Sequence, residues 1–129
     1  MIIDNRSLAT AEELDQAIRC LDQARGLRTL GHPDGVLSRA YYAVFHAARA
    51  LLVSLGLEIK SHRAVLNQMS DHFVRTGRLA PELARLISRM QRDREDADYQ
   101  MGAIFTDAMA EQAIADAERF IAAVRKLLA

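Results

Sequence analysis

Along nearly its whole length this chain repeats apolar residues at the three-to-four spacing of a helix. The densest stretch is Ser38–Leu57. There Ala40, Tyr41, Ala43, Val44, Phe45, Ala47, Ala48, Leu51, Leu52 and Leu55 cover most of the circumference of a helix turning about 100° per residue. Ser38, Arg39, Tyr42, His46 and Arg49 share one narrow arc. A helix that is apolar on most sides has neighbours on most sides. The pattern therefore predicts a central helix whose polar arc faces a partner, a cleft or another subunit.

Around it the pattern predicts four more helices. The first spans about Thr10 to Leu30, with Thr10 and Glu13 as a capping box and Leu14, Ala17, Ile18, Leu21 and Ala24 inward. Asn5 or Ser7 would serve equally for an earlier start. Gly31 and Pro33 stop it, and Pro33 suits the first turn of the central helix, for which Gly56 is the stop. Ser61 caps a short third helix through about Arg75, with Val65, Met69 and Phe73 inward and Gly77 at its end. Pro81 opens a fourth with the seam Leu83, Leu86, Ile87, Met90, Ala97 and Met101. Thr106 caps a fifth carrying Ala110, Ala113, Ile114, Ala117, Phe120, Ile121, Val124 and Leu127. The connections are short, so successive helices should pack antiparallel as one up-down, all-α domain over residues 1–129.

Composition narrows the function classes. The chain has 129 residues, with 17 Lys and Arg balanced by 17 Asp and Glu, which argues against holding nucleic acid by bulk charge alone. The single cysteine, Cys20, allows no internal disulfide, is read as a small buried residue, and fits a reducing compartment. No apolar run reaches the length of a membrane span, and the first residues lack a signal-peptide layout. The expectation is a soluble cytoplasmic protein that needs no membrane. No His, Cys or acidic cluster has metal-ligand spacing, and there is no Gly-rich phosphate loop, so neither metal nor cofactor is expected.

Charge is unevenly placed. Residues 60–94 carry Lys60, Arg63, Arg75, Arg78, Arg85, Arg89, Arg92 and Arg94, and residues 95–118 carry acids and no base. Arg85, Arg89 and Arg92 make one stripe, either a solvated face with local pairs such as Arg92–Asp96 or a strip that tracks phosphates. Arg94 differs because it falls in the apolar seam between Met90 and Met101. A guanidinium there is costly unless paired, and Asp98 is one turn away. Such a pair, tied to the polar arc of the central helix, serves either as structural glue or as part of an active site.

The stretch SRAYYAVFHAARALL, the triplet Lys60-Ser61-His62 and the run Arg94-Glu95-Asp96-Ala97-Asp98-Tyr99 resemble the HEPN domain family, in particular its small stand-alone prokaryotic branch. The resemblance implies four main helices plus an additional fifth, in a homodimer formed along the face with the polar motif. Many such proteins pair with a minimal nucleotidyltransferase as a toxin–antitoxin couple. The HEPN partner is then typically a metal-independent endoribonuclease, silenced when AMP is added to a tyrosine. The family's signature is an Arg, four to six residues, a His and, two residues on, often a Tyr. A His moves the proton of a ribose hydroxyl near neutral pH, and an Arg neutralises the phosphate. Registering on Tyr99 puts Arg92 at the arginine position and Ala97 where the histidine belongs.

Two functional readings follow. In the first the protein is the dimeric partner of a nucleotidyltransferase and holds RNA, nucleotide or that enzyme in a polar groove of Arg39, Tyr42, Arg49, Asp98 and Tyr99. Tyr99 then occupies the family's AMP-acceptor position, or else packs at the dimer edge. In the second the protein is an active ribonuclease toxin using Arg92, Arg94 and His46. His46 follows Arg39 with six residues between them and lies on the polar arc, so it would stand in for the missing histidine by reaching Arg92 or Arg94. The alternative for Tyr42, His46 and Arg49 is a hydrogen-bonded dimer interface without chemistry. Arg25 and His32 also match the spacing, but His32 sits in a helix-breaking Gly-His-Pro. His62, beside Ser61 at a helix start, is read as a cap or anion contact, and His72 as surface.

Overall fold

The computed structural model describes residues 5–100 and 102–129. It contains helices α1 (Asn5–Thr29), α2 (Pro33–Ser54), α3 (His62–Met69), α4 (Pro81–Tyr99) and α5 (Asp107–Leu128), and among the described residues no strand. The all-α expectation holds: four long helices form the bundle and α3 is the additional short one. Met101, expected in the α4 seam, lies outside the described residues.

α2 is the hub. Ala40, Tyr41, Ala43, Val44, Ala47, Ala48, Ala50 and Leu52 are fully buried on it, and it packs against α1, α3, α4 and α5. The alanines let neighbouring backbones come close, and each larger side chain taken fully out of water contributes about 1.5–3 kcal/mol. Val65, Met69, Phe73, Ile87, Phe120 and Val124 complete the same core.

Most start signals operate as read. The Ser61 side chain accepts from the Ala64 amide at 3.0 Å, and Thr106 accepts from Met109 at 3.2 Å. Pro33 and Pro81 open α2 and α4. Gly56 and Gly77 take left-handed backbone (φ 79° and 74°), which ends their helices at little steric cost. The α1 start differs. Thr10 lies inside the helix with its hydroxyl donating to the Arg6 carbonyl at 2.8 Å, so it is no cap. Glu13, its supposed capping partner, turns instead to α2. The inward stripe of α1 is Ala17, Cys20, Leu21 and Ala24, with Ile18 only half-buried. After α3 the chain widens into a π-helical turn, Ser70–Val74, which the periodicity did not announce and which carries Phe73 into the core.

Two features of this packing matter for function. α1 and α4 flank α2 without touching each other, which leaves a strip of α2 uncovered by helix. The connection 55–61 tucks Leu57 and Ile59 against the core and delivers the start of α3 to that same strip.

Candidate functional site

The uncovered strip is the polar arc of α2. Read around the helix, its side chains run from Tyr41 on the α3–α4 side through Phe45, Arg49 and Tyr42 to His46 and Arg39 on the α1 side.

Arg94 enters from α4. Its Cζ lies 5.4 Å from the centre of the Tyr41 ring and 5.6 Å from that of Tyr42, within cation–π range of both. Its side chain is only 12% exposed, yet its charged partners are distant: Nη1 to Asp98 Oδ2 is 3.4 Å and Nη2 to Glu95 Oε1 is 3.8 Å. Nε is buried and has no hydrogen-bond partner. Burial alone would depress the guanidinium pKa, but Tyr42, Asp98 and Tyr41 outweigh it and hold the pKa above its ordinary value, so the charge persists. Guanidinium recognition of carboxylate or phosphate favours paired, short N–H···O bonds. This one keeps most of its donors uncommitted.

His62 enters from the start of α3. Its ring stacks on Phe45 with centroids 4.3 Å apart and planes 14° apart. Its Nδ1 is 2.5 Å from the Tyr41 hydroxyl. Burial pushes the Tyr41 pKa up to about 12, so the phenol stays protonated at neutral pH. Burial also pushes the His62 pKa below its ordinary value, and the nearby positive charge of Arg94 adds to this. The imidazole is therefore neutral at pH 7. Nε2 has no protein partner among the described residues, yet it is not buried.

His46 sits at the other edge. Its Nδ1 is 2.8 Å from Glu13 Oε2, and Arg49 Nε donates to Glu13 Oε1 at 2.9 Å. Both residues thus turn towards α1, where a half-buried carboxylate holds them, and His46 does not reach Arg94. Arg39 lies over the Tyr42 ring, with Cζ 4.8 Å from the ring centre, and reaches Gln23 Oε1 at 3.4 Å.

The sequence-derived candidates divide accordingly. Arg94, Asp98, Tyr42 and Arg39 form one chain of contacts. His46 and Arg49 join it through Phe45, whose ring is 5.6 Å from that of His46 and 5.9 Å from Arg49 Cζ. Arg92 does not join: it is exposed and points out from the far side of α4. Tyr99, at the end of α4, is 75% exposed. Arg89 leaves the supposed stripe to donate to Asp116 of α5, a buried carboxylate that Gln112 and Arg119 also bond at 2.9 and 3.2 Å. Sequence reasoning undervalued His62, which reaches Tyr41 and Phe45 only because the connection before it folds back. The signal available was the Lys60-Ser61-His62 triplet itself. Among the described residues no three His, Cys, Asp or Glu side chains gather to hold a metal, and no helix is long and apolar enough to cross a membrane.

A family model described as "HEPN domain" matches residues 10–127. A "UPF0332 protein" of Thermotoga maritima is 34% identical over 113 residues, covering 88% of this chain and 86% of its own. A Methanocaldococcus jannaschii protein named "Putative toxin MJ0605" is 36% identical over 92 residues, covering 71% of this chain and 68% of its own. The crystal structure of TT1696 from Thermus thermophilus superposes with a TM-score of 0.77 at 20% identity, over 91% of this chain and 96% of that one, a likeness of fold.

Proposed function

The chain belongs to the HEPN family, and we propose that it is a toxin-type endoribonuclease that works without metal from the open face around Arg94. The observation that carries this reading is the state of Arg94. A cation sunk in an apolar seam, with long contacts to its acids and one N–H unsatisfied, is poor structural glue. Sites that break local packing rules are where function is expected. A scissile phosphate laid beside the partly exposed Tyr42 would give that guanidinium short, charge-assisted bonds and would meet it as negative charge grows in the transition state. The toxin name of the Methanocaldococcus jannaschii relative agrees with this reading. The test is cleavage of a single-stranded RNA by purified protein in excess chelator, compared with Arg94→Met. Loss of cleavage in the variant supports the reading, and equal cleavage by both preparations identifies a contaminant.

A second reading is favoured by Tyr99. Its ring stands clear of the core at the end of α4, one residue past Asp98. A minimal nucleotidyltransferase partner would find its phenol accessible and would add AMP there, on a side of α4 turned about 140° from the Arg94 face. Co-expression with such an enzyme followed by mass spectrometry should show the added nucleotide on Tyr99. Modification that survives Tyr99→Phe would exclude this position. The same face is the expected contact between two copies of the chain, which sedimentation of wild type against Arg39→Glu would reveal.

A further inference from the structure

The family's usual histidine position is taken by Ala97, which cannot move a proton, and His46 is held by Glu13 on the far edge of the strip. His62 is bound to neither constraint. It comes from a different helix, touches the same Tyr41 ring system that Arg94 overlies, and has one nitrogen fixed and one open. We propose that His62 is the proton-transfer group of this centre, accepting through Nε2 the proton of a ribose 2′-hydroxyl whose neighbouring phosphate rests on Arg94. The proposal depends on the ribonuclease reading above and names the catalytic base that the sequence motif lacks.

The geometry supplies what such a base needs. Phe45 stacked on one face and the Tyr41 hydroxyl at Nδ1 fix the ring's plane and direction, so Nε2 is presented in one orientation. The charged groups that bear on it are Arg49 from α2 and Arg94 and Glu95 from α4, with the Tyr41 phenol in direct contact. Burial and Arg94 keep the imidazole neutral at pH 7, and in the tautomer the proposal requires Nδ1–H donates to the Tyr41 hydroxyl oxygen, which leaves Nε2 unprotonated and able to accept a proton.

The step balances without any added reagent. As His62 takes the 2′ proton, the 2′-oxygen bonds to the adjacent phosphorus and the bond from phosphorus to the 5′-oxygen breaks. The leaving 5′-oxygen takes a proton from water. The products are a 2′,3′-cyclic phosphate and a 5′-hydroxyl, and the imidazolium returns its proton to solvent. Arg94 would hold the non-bridging oxygens throughout.

The experiment uses the full-length protein, chelator and a fluorescent single-stranded RNA, together with the same sequence carrying 2′-O-methyl groups as a probe that binds and cannot react. His62→Gln and His62→Asn are both made, because either amide can retain the contact to Tyr41. We expect each to lose at least about 100-fold in cleavage while binding the 2′-O-methyl RNA within about twofold of wild type. Cleavage in either folded variant within about threefold of wild type would overturn the role of His62 and leave the ribonuclease reading standing. A wild type that neither cleaves nor binds RNA would overturn both. Should both variants unfold, the wild type alone decides. The acidic limb of its kcat/KM profile must coincide with the His62 midpoint followed by NMR, below the ordinary histidine value, and a limb elsewhere overturns the proposal.

Discussion

The guanidinium of Arg94 lies 5.4 Å from the centre of the Tyr41 ring, and that contact joins α4 to α2 where α1 leaves the central helix uncovered. Tyr41 touches His62 through its hydroxyl and Arg94 through its π-face, so one buried phenol organises a cation and an imidazole drawn from two other helices. Whether the arrangement is kept for folding or for chemistry can be separated experimentally.

Arg94→Met tests the structural role. Methionine matches the aliphatic stem and removes a charge that the fold must desolvate, while Asp98 and Glu95 keep access to water. Urea titration should place the variant within about 1 kcal/mol of wild type, or above it. A loss of about 3 kcal/mol or more would mean the cation is needed by the fold.

The pH dependence of stability follows from His62. Its folded pKa is below the unfolded value, so the folded state resists protonation. The corresponding stabilisation is complete above about pH 6.5, the ordinary histidine value, and is lost as pH falls from there through the folded pKa. Wild type should therefore lose more stability than His62→Gln between pH 7.5 and pH 5, measured by urea midpoints. Parallel losses in the two proteins would show that His62 does not titrate as described.

Glu13 holds both His46 and Arg49. Removing its carboxylate in Glu13→Ala leaves two half-buried donors without their acceptor. The expected cost is about 1–2 kcal/mol with an unchanged m-value. A variant as stable as wild type would make these contacts incidental to the α1–α2 packing.

Asp116 is 2% exposed and accepts from Arg89, Gln112 and Arg119. Asp116→Asn keeps the shape but removes the charge and turns one acceptor into a donor facing donors. A loss of about 1–3 kcal/mol is expected in thermal or urea unfolding. Unchanged stability would show that the three donors find water as good a partner.

Much of this architecture could be read from periodicity. The five helices, the hub role of α2 and the Ser61 and Thr106 caps are local properties, written in spacings of three and four and in the residue before each run. Arg94 was visible for the same reason, as a charge inside an apolar seam. The α1 start was not: Thr10 and Glu13 have the spacing of a capping box, and only the presence of His46 and Arg49 across the bundle shows what Glu13 does. Asp116 looked like one more acid on an alanine-rich helix until Arg89 met it from α4. His62 was hidden most deeply, because its neighbours Tyr41 and Phe45 become neighbours only when residues 55–61 double back along α2. Pairings made by tertiary contact leave no period in a single sequence.

The most direct measurement is a crystal structure of the protein with an uncleavable 2′-O-methyl RNA. A backbone phosphate within about 3 Å of the Arg94 guanidinium, with the adjoining ribose 2′-oxygen directed at His62 Nε2, is the predicted result. RNA bound on another face, with Arg94 and His62 left untouched, would contradict the account.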